Sequence, residues 1–167
     1  GRLAVSLNGF VRKDDLQPFL VGAVPSNVLR AIPTKRIDVS GTLQGNMKAL
    51  TMKKLHVGMP QHFFVNVNGR VNNLQSTRNM SANLAFNGNL QDVRFVKQLL
   101  PKSAAQTISI PTGIGFDAKV KMRGAQYDAN ALLYEGGGNV VVKGSYNANS
   151  EIYNVTARAT NLQLQHF

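Results

Sequence analysis

Three stretches of this chain alternate apolar and polar residues with a period of two. Phe63, Val65, Val67, Gly69 and Val71 alternate with Phe64, Asn66, Asn68, Arg70 and Asn72. Met80, Ala82, Leu84, Phe86, Gly88 and Leu90 alternate with Ser81, Asn83, Ala85, Asn87 and Asn89. Phe116, Ala118, Val120, Met122 and Gly124 alternate with Asp117, Lys119, Lys121 and Arg123. Such spacing sends apolar side chains to one face of a sheet and polar ones to the other. Further strands are expected at Leu3–Leu7, Ile37–Leu43, Leu50–Val57, Tyr127–Tyr134, Asn139–Tyr146 and Ile152–Thr160. Asn8-Gly9, Asn68-Gly69 to Asn72-Asn73, Asn87-Gly88-Asn89, Gly136-Gly137-Gly138-Asn139 and Asn147 to Asn149 carry turn chemistry. Strands joined by short turns run antiparallel. The expected fold is therefore mainly β.

Two stretches break the alternation. Leu16–Ile32 spaces its apolar residues nearly as a helix, punctuated by Pro18, Pro25 and Pro33; Val93–Ala105 does the same around Pro101. Both are expected as short helices with one apolar side, packed on the apolar sheet face. Asn89-Leu90-Gln91 with Phe95 recurs 72 residues later as Asn161-Leu162-Gln163 with Phe167. Leu16-Gln17 with Phe19 reads as an earlier copy. The chain is thus expected to be one β-rich unit over 1–167, built of repeats at about 15–88 and 89–160, with a third beginning at 161.

Composition narrows the chemistry. The 167 residues contain no cysteine, so disulfides, zinc knuckles and thiol nucleophiles are excluded. Hydrophobic residues make up 43%, too many for a wholly disordered chain. The uncharged runs Leu16–Leu29 and Ser103–Phe116 are too short for a membrane span and carry prolines. No signal-peptide pattern opens the sequence, so any targeting segment is expected to lie outside it.

No catalytic constellation emerges, and no enzyme activity, metal or cofactor is expected. His56 and His62 have no Asp or Glu within fifteen residues, and read as loop histidines near strand ends. Asp14-Asp15 precede an apolar run and fit a helix start. Asp117 and Asp128 could meet across a hairpin, but they share it with Lys119, Lys121 and Arg123, which fits a solvated charged face. No nucleophile elbow surrounds any serine. Gly136-Gly137-Gly138 is followed by no Lys-Ser/Thr pair and reads as a hairpin tip rather than a phosphate cradle.

The formal charge is +11, from 19 Lys+Arg against 8 Asp+Glu. The basic residues are dispersed rather than interleaved with exposed aromatics, so nucleic acid is not the expected partner. An anionic membrane surface fits better, with Lys119, Lys121 and Arg123 as the expected head-group contacts.

Long alternating strands with Asn/Gly turns, broken by proline-ended segments of the Asn-Leu-Gln…Phe type, resemble the AsmA-like and TamB-like proteins of Gram-negative envelopes. Asn161-Leu162-Gln163-Leu164-Gln165-His166-Phe167 and Val140-Val141-Val142-Lys143-Gly144-Ser145-Tyr146 look like the large TamB-type proteins of Bacteroidetes. The likeness covers most of the chain but rests on texture rather than on a strict motif. It implies curved antiparallel sheets forming a repeating β-groove or open half-barrel, with one or two short helices over part of the apolar face. It implies an internal, periplasmic piece of an inner-membrane-anchored protein that moves phospholipid and supports outer-membrane assembly, with assembly proteins as further partners. The family has no catalytic residues to carry over. The residues themselves leave two outcomes open: an open groove for apolar chains, or a closed core in a structural or adhesin-type domain. For the groove, the expected lining is Val65, Val67, Leu84, Phe86, Phe116, Val120, Met122, Val140 and Val142.

Overall fold

A computed structural model describes residues 1–20, 30, 32–92, 106 and 113–161. Among them, nine strands form one antiparallel sheet in chain order: β1 (Leu3–Arg12), β2 (Arg36–Asn46), β3 (Ala49–Met59), β4 (Phe63–Asn72), β5 (Ser81–Leu90), β6 (Ile114–Arg123), β7 (Gln126–Glu135), β8 (Gly138–Asn147) and β9 (Ile152–Thr160). The sheet is open, and β1 and β9 are its edges.

The nine strands are those expected from the alternation, but several run longer. β1 continues through Asn8-Gly9 to Arg12, with Asn8 opposite Ser40 and Gly9 opposite Val39. Asn68-Gly69 and Asn87-Gly88-Asn89 also lie inside strands, not at turns. Gly69 and Gly88 are there for close approach, whereas a Cβ on Gly9 would meet nothing within 4 Å. A Cβ on Gly69, whose φ is +147°, would overlap the carbonyl oxygen of Asn83 on β5. At Gly88 it would overlap the Phe64 carbonyl oxygen and lie 2.8 Å from the Phe116 ring. Composition alone does not separate this use of glycine from a turn.

β3 breaks period two and repairs it. Leu50 and Met52 share a face, and Leu55, Val57 and Met59 continue it only because the pairing shifts between Met52 and Leu55. Lys53 and Lys54 thus form a bulge, with Lys54 at φ 48°. The extra residue keeps both halves of the strand apolar on the same side.

A helix, α1 (Lys13–Leu20), follows β1 directly. It begins three residues earlier than the spacing indicates. Asp14 and Asp15 lie in its first turn, where negative charge meets the exposed N–H groups. The Asp15 carboxylate accepts the Arg12 N–H at 3.1 Å, one half of a capping box. Pro18 sits inside the helix and removes one backbone hydrogen bond. The remainder of the first expected helix, residues 21–29 and 31, lies outside the described residues, as do the second expected helix, Val93–Ala105, and residues 162–167.

The most buried side chains gather at one end of the sheet. Met59 is fully buried and Ile37 is 6% exposed. Here β3 passes to β4, β5 ends and β6 begins, so Met59, Phe63, Leu90 and Ile114 are successive cross-strand neighbours.

Candidate functional site: two faces of one sheet

Residues directly opposite in an antiparallel pair point to the same side. The register can therefore be followed across the sheet. Leu43, Met52, Gly69, Leu84, Val120, Ala129, Gly144 and Val155 make one such row from β2 to β9. Parallel rows on the same face run through Val67, Phe86, Ala118, Ala131, Val142 and Ala157, and through Val65, Gly88, Phe116, Leu133 and Val140.

All nine expected lining residues fall on this face, Met122 included, since it opposes Ala82 and Tyr127. Each of the nine is partly exposed rather than sealed. Exposure grows toward the far edge. Tyr127, Tyr146 and Tyr153 follow one another across β7, β8 and β9, and Tyr153 is 72% exposed. The Tyr127 and Tyr146 ring centroids are 6.1 Å apart.

Lys119, Lys121 and Arg123 alternate with those residues and stand on the opposite face. The apolar rows and these three cations thus stand on opposite sides of the sheet. The three cations also divide between two depressions of the polar face. Lys119 borders one of about 300 Å³ with Asn87, Asp117 and Asn130. Lys121 and Arg123 border another of about 560 Å³ with Arg70 and Asn83. Asp117 and Asp128, which a hairpin could have paired, sit in different depressions.

The polar face is also internally bonded. The His56 ring nitrogen Nδ1 lies 2.6 Å from Asn66 Oδ1, and Asn66 Nδ2 donates to Asn87 Oδ1 at 2.9 Å. The His56 ring stacks on Phe64 at 5.9 Å. His56 is thus a strand residue in a polar ladder, not a loop residue.

His62 is a loop histidine beside a strand end, as expected, but it has an acidic partner that its sequence neighbourhood does not show. It lies in the β3–β4 turn, only 7% exposed, and its Nδ1 is 3.1 Å from Asp92 Oδ2. Its carbonyl accepts the N–H groups of Gln91 and Asp92. The thirty residues separating His62 from Asp92 hide this pairing in the sequence; the β4–β5 hairpin brings the two together. Among the described residues no three His, Asp or Glu side chains gather as a metal site would require, and no helix is long and apolar enough to cross a membrane.

No family model matches the chain, and no curated protein or solved structure shows significant similarity to it.

Proposed function

We propose that this chain is a non-enzymatic β-module whose apolar face receives phospholipid acyl chains. The observation that carries the reading is the apolar face itself, continuous across the strands of an open sheet and partly exposed along its rows. Eight inter-strand steps make it about 38 Å wide at about 4.8 Å each. One acyl layer of a bilayer is about 15 Å thick, half of a hydrocarbon core of about 30 Å. The face is thus wide enough for more than one chain. Each methylene removed from water contributes about 0.8 kcal/mol, so even a partly covered chain is held.

In this reading the sheet curves into a groove or half-barrel. The order of elements supports a repeat of about 15–88 and 89–160, since four strands follow each of the two proline-bearing segments. The module belongs to a TamB/AsmA-like envelope protein that works in the periplasm beside outer-membrane assembly proteins. Its net positive charge draws it toward anionic membrane surfaces, with Lys119, Lys121 and Arg123 acting from the polar face and not from the groove.

The reading is tested by extracting the natively purified chain with organic solvent and analysing the extract by mass spectrometry. Co-purified phospholipid in molar proportion to protein is the expected result. A lipid-free chain that also fails to take up added phospholipid favours a structural domain with a closed core.

A further inference from the structure

The polar face gathers three cations around a single acid. Arg70, Asn83, Lys121 and Asp128 are successive neighbours across β4 to β7, and Asn72, Ser81 and Arg123 form the adjoining row. All seven border the cleft of about 560 Å³. The four charged groups leave the cleft with an excess of two positive charges. Among the described residues, Arg36 pairs with Asp38, and His62 Nδ1 lies 3.1 Å from Asp92 Oδ2. Neither Lys121 nor Arg123 has a side-chain partner there, and Asp128 forms no ion pair with the lysine opposite it.

Arg70 on β4 faces Lys121 and Arg123 on β6 across the neutral Asn83 and Ser81 of β5, so the cations flank the cleft from two sides. The neutral groups are already set. Arg70 Nε donates to Asn72 Oδ1 at 3.0 Å, which orients the guanidinium and leaves its other N–H donors available. Asn72 Nδ2 in turn donates to Ser81 Oγ at 3.4 Å.

We propose that this cleft binds a phosphomonoester carried by a sugar or a lipid head group. Such a group carries about −1.5 to −2 charges near neutral pH, which matches the excess in the cleft. Its three acceptor oxygens suit a guanidinium fork and an ammonium. Asp128 and the amide of Asn83 accept hydrogen bonds from hydroxyls beside the phosphate. Ala82 and Met122 of the apolar rows also border the cleft, but its charged and hydrogen-bonding residues all belong to the polar face.

The test is calorimetric titration of the whole chain in phosphate-free, low-salt buffer. The probes are glucose 6-phosphate, inorganic phosphate, glucose, and phosphatidylcholine vesicles with and without phosphatidic acid. Saturable binding of at least one phosphate probe is expected, weakened about tenfold or more by Lys121→Gln with Arg123→Gln, the loss of about 1.4 kcal/mol or more. Lys143→Gln, on the same face outside the cleft, should leave affinity within about twofold, because screening confines exposed charges to roughly 8 Å. Binding of the soluble phosphates alone assigns the ligand to a sugar phosphate, and binding of phosphatidic acid vesicles alone to a lipid head group. Both support the site. Equal weakening by Lys143→Gln, equal binding of glucose, or no binding of any phosphate probe overturns it. Circular dichroism confirms that these exposed substitutions leave the fold intact. Fatty-acid uptake should be the same in the double variant and the parent, which separates this site from the groove.

Discussion

The backbone N–H of Lys54 is bonded to the side-chain oxygen of Asn68 on the neighbouring strand, 2.9 Å away. The bulge at Lys53-Lys54 takes that N–H out of the regular ladder, and Asn68 supplies the acceptor. A single side chain thereby supports the register that keeps Leu50, Met52, Leu55 and Val57 on one face. Asn68→Ala should lower stability by about 1 kcal/mol, the net value of such a bond. Asn68→Asp, which keeps the acceptor, should restore most of it. Chemical denaturation with an unchanged slope checks this, and equal midpoints for Ala and the parent would contradict it.

Gly88 lies between the Phe64 carbonyl and the Phe116 ring. Gly88→Ala forces these groups apart and should cost about 2 to 3 kcal/mol, as overpacking does. Gly137, in the β7–β8 turn, has nothing within 4 Å of an added Cβ. Gly137→Ala should stay within about 0.5 kcal/mol. Thermal melts of the two variants make the comparison; similar losses would contradict it.

The pair of buried His62 and partly exposed Asp92 ties the β3–β4 turn to the end of β5. Asp92→Ala leaves the His62 ring without that acceptor and should cost about 1 to 3 kcal/mol. Amide hydrogen exchange should rise first at Met59 to Phe63. Uniform loosening of the whole sheet, or none, would contradict the tie.

β9 is exposed at every residue, with Ile152, Tyr153 and Val155 all more than half open to solvent. An edge strand with unpaired backbone groups and such side chains invites pairing with another chain. Sedimentation velocity over a concentration series should show self-association, reduced by Val155→Lys, which adds a charge to the edge. A chain that stays monomeric at high concentration would contradict it.

The strands were legible because a half-buried sheet writes a period of two into its sequence, as Phe116 to Arg123 shows. Their ends were less so. Asn-Gly pairs look the same in a turn and at a close approach, and Gly69 and Gly88 turned out to be the latter. The Lys53-Lys54 bulge carries no composition signature of its own. His62 and Asp92 meet only through a hairpin, so no local spacing announces them. The apolar rows and the basic residues were each readable from alternation. Their placement on opposite faces follows from the same parity, yet it bears on function only once one lipid is asked to use both. The cleft at Arg70, Lys121 and Arg123 needs cross-strand register, since Arg70 and Lys121 are far apart in the sequence.

The apolar face is tested most directly at Val120, which lies between Leu84 and Ala129 and remains partly exposed. The measurement is titration of the parent and of Val120→Asp with a fluorescent fatty acid, with circular dichroism recorded on the same samples. An open face predicts saturable binding by the parent and a large loss in Val120→Asp, while the β spectrum is retained because the carboxylate reaches water. Absence of binding by the parent, or loss of the fold together with binding because the carboxylate is buried unpaired at a cost of several kcal/mol, would contradict the account.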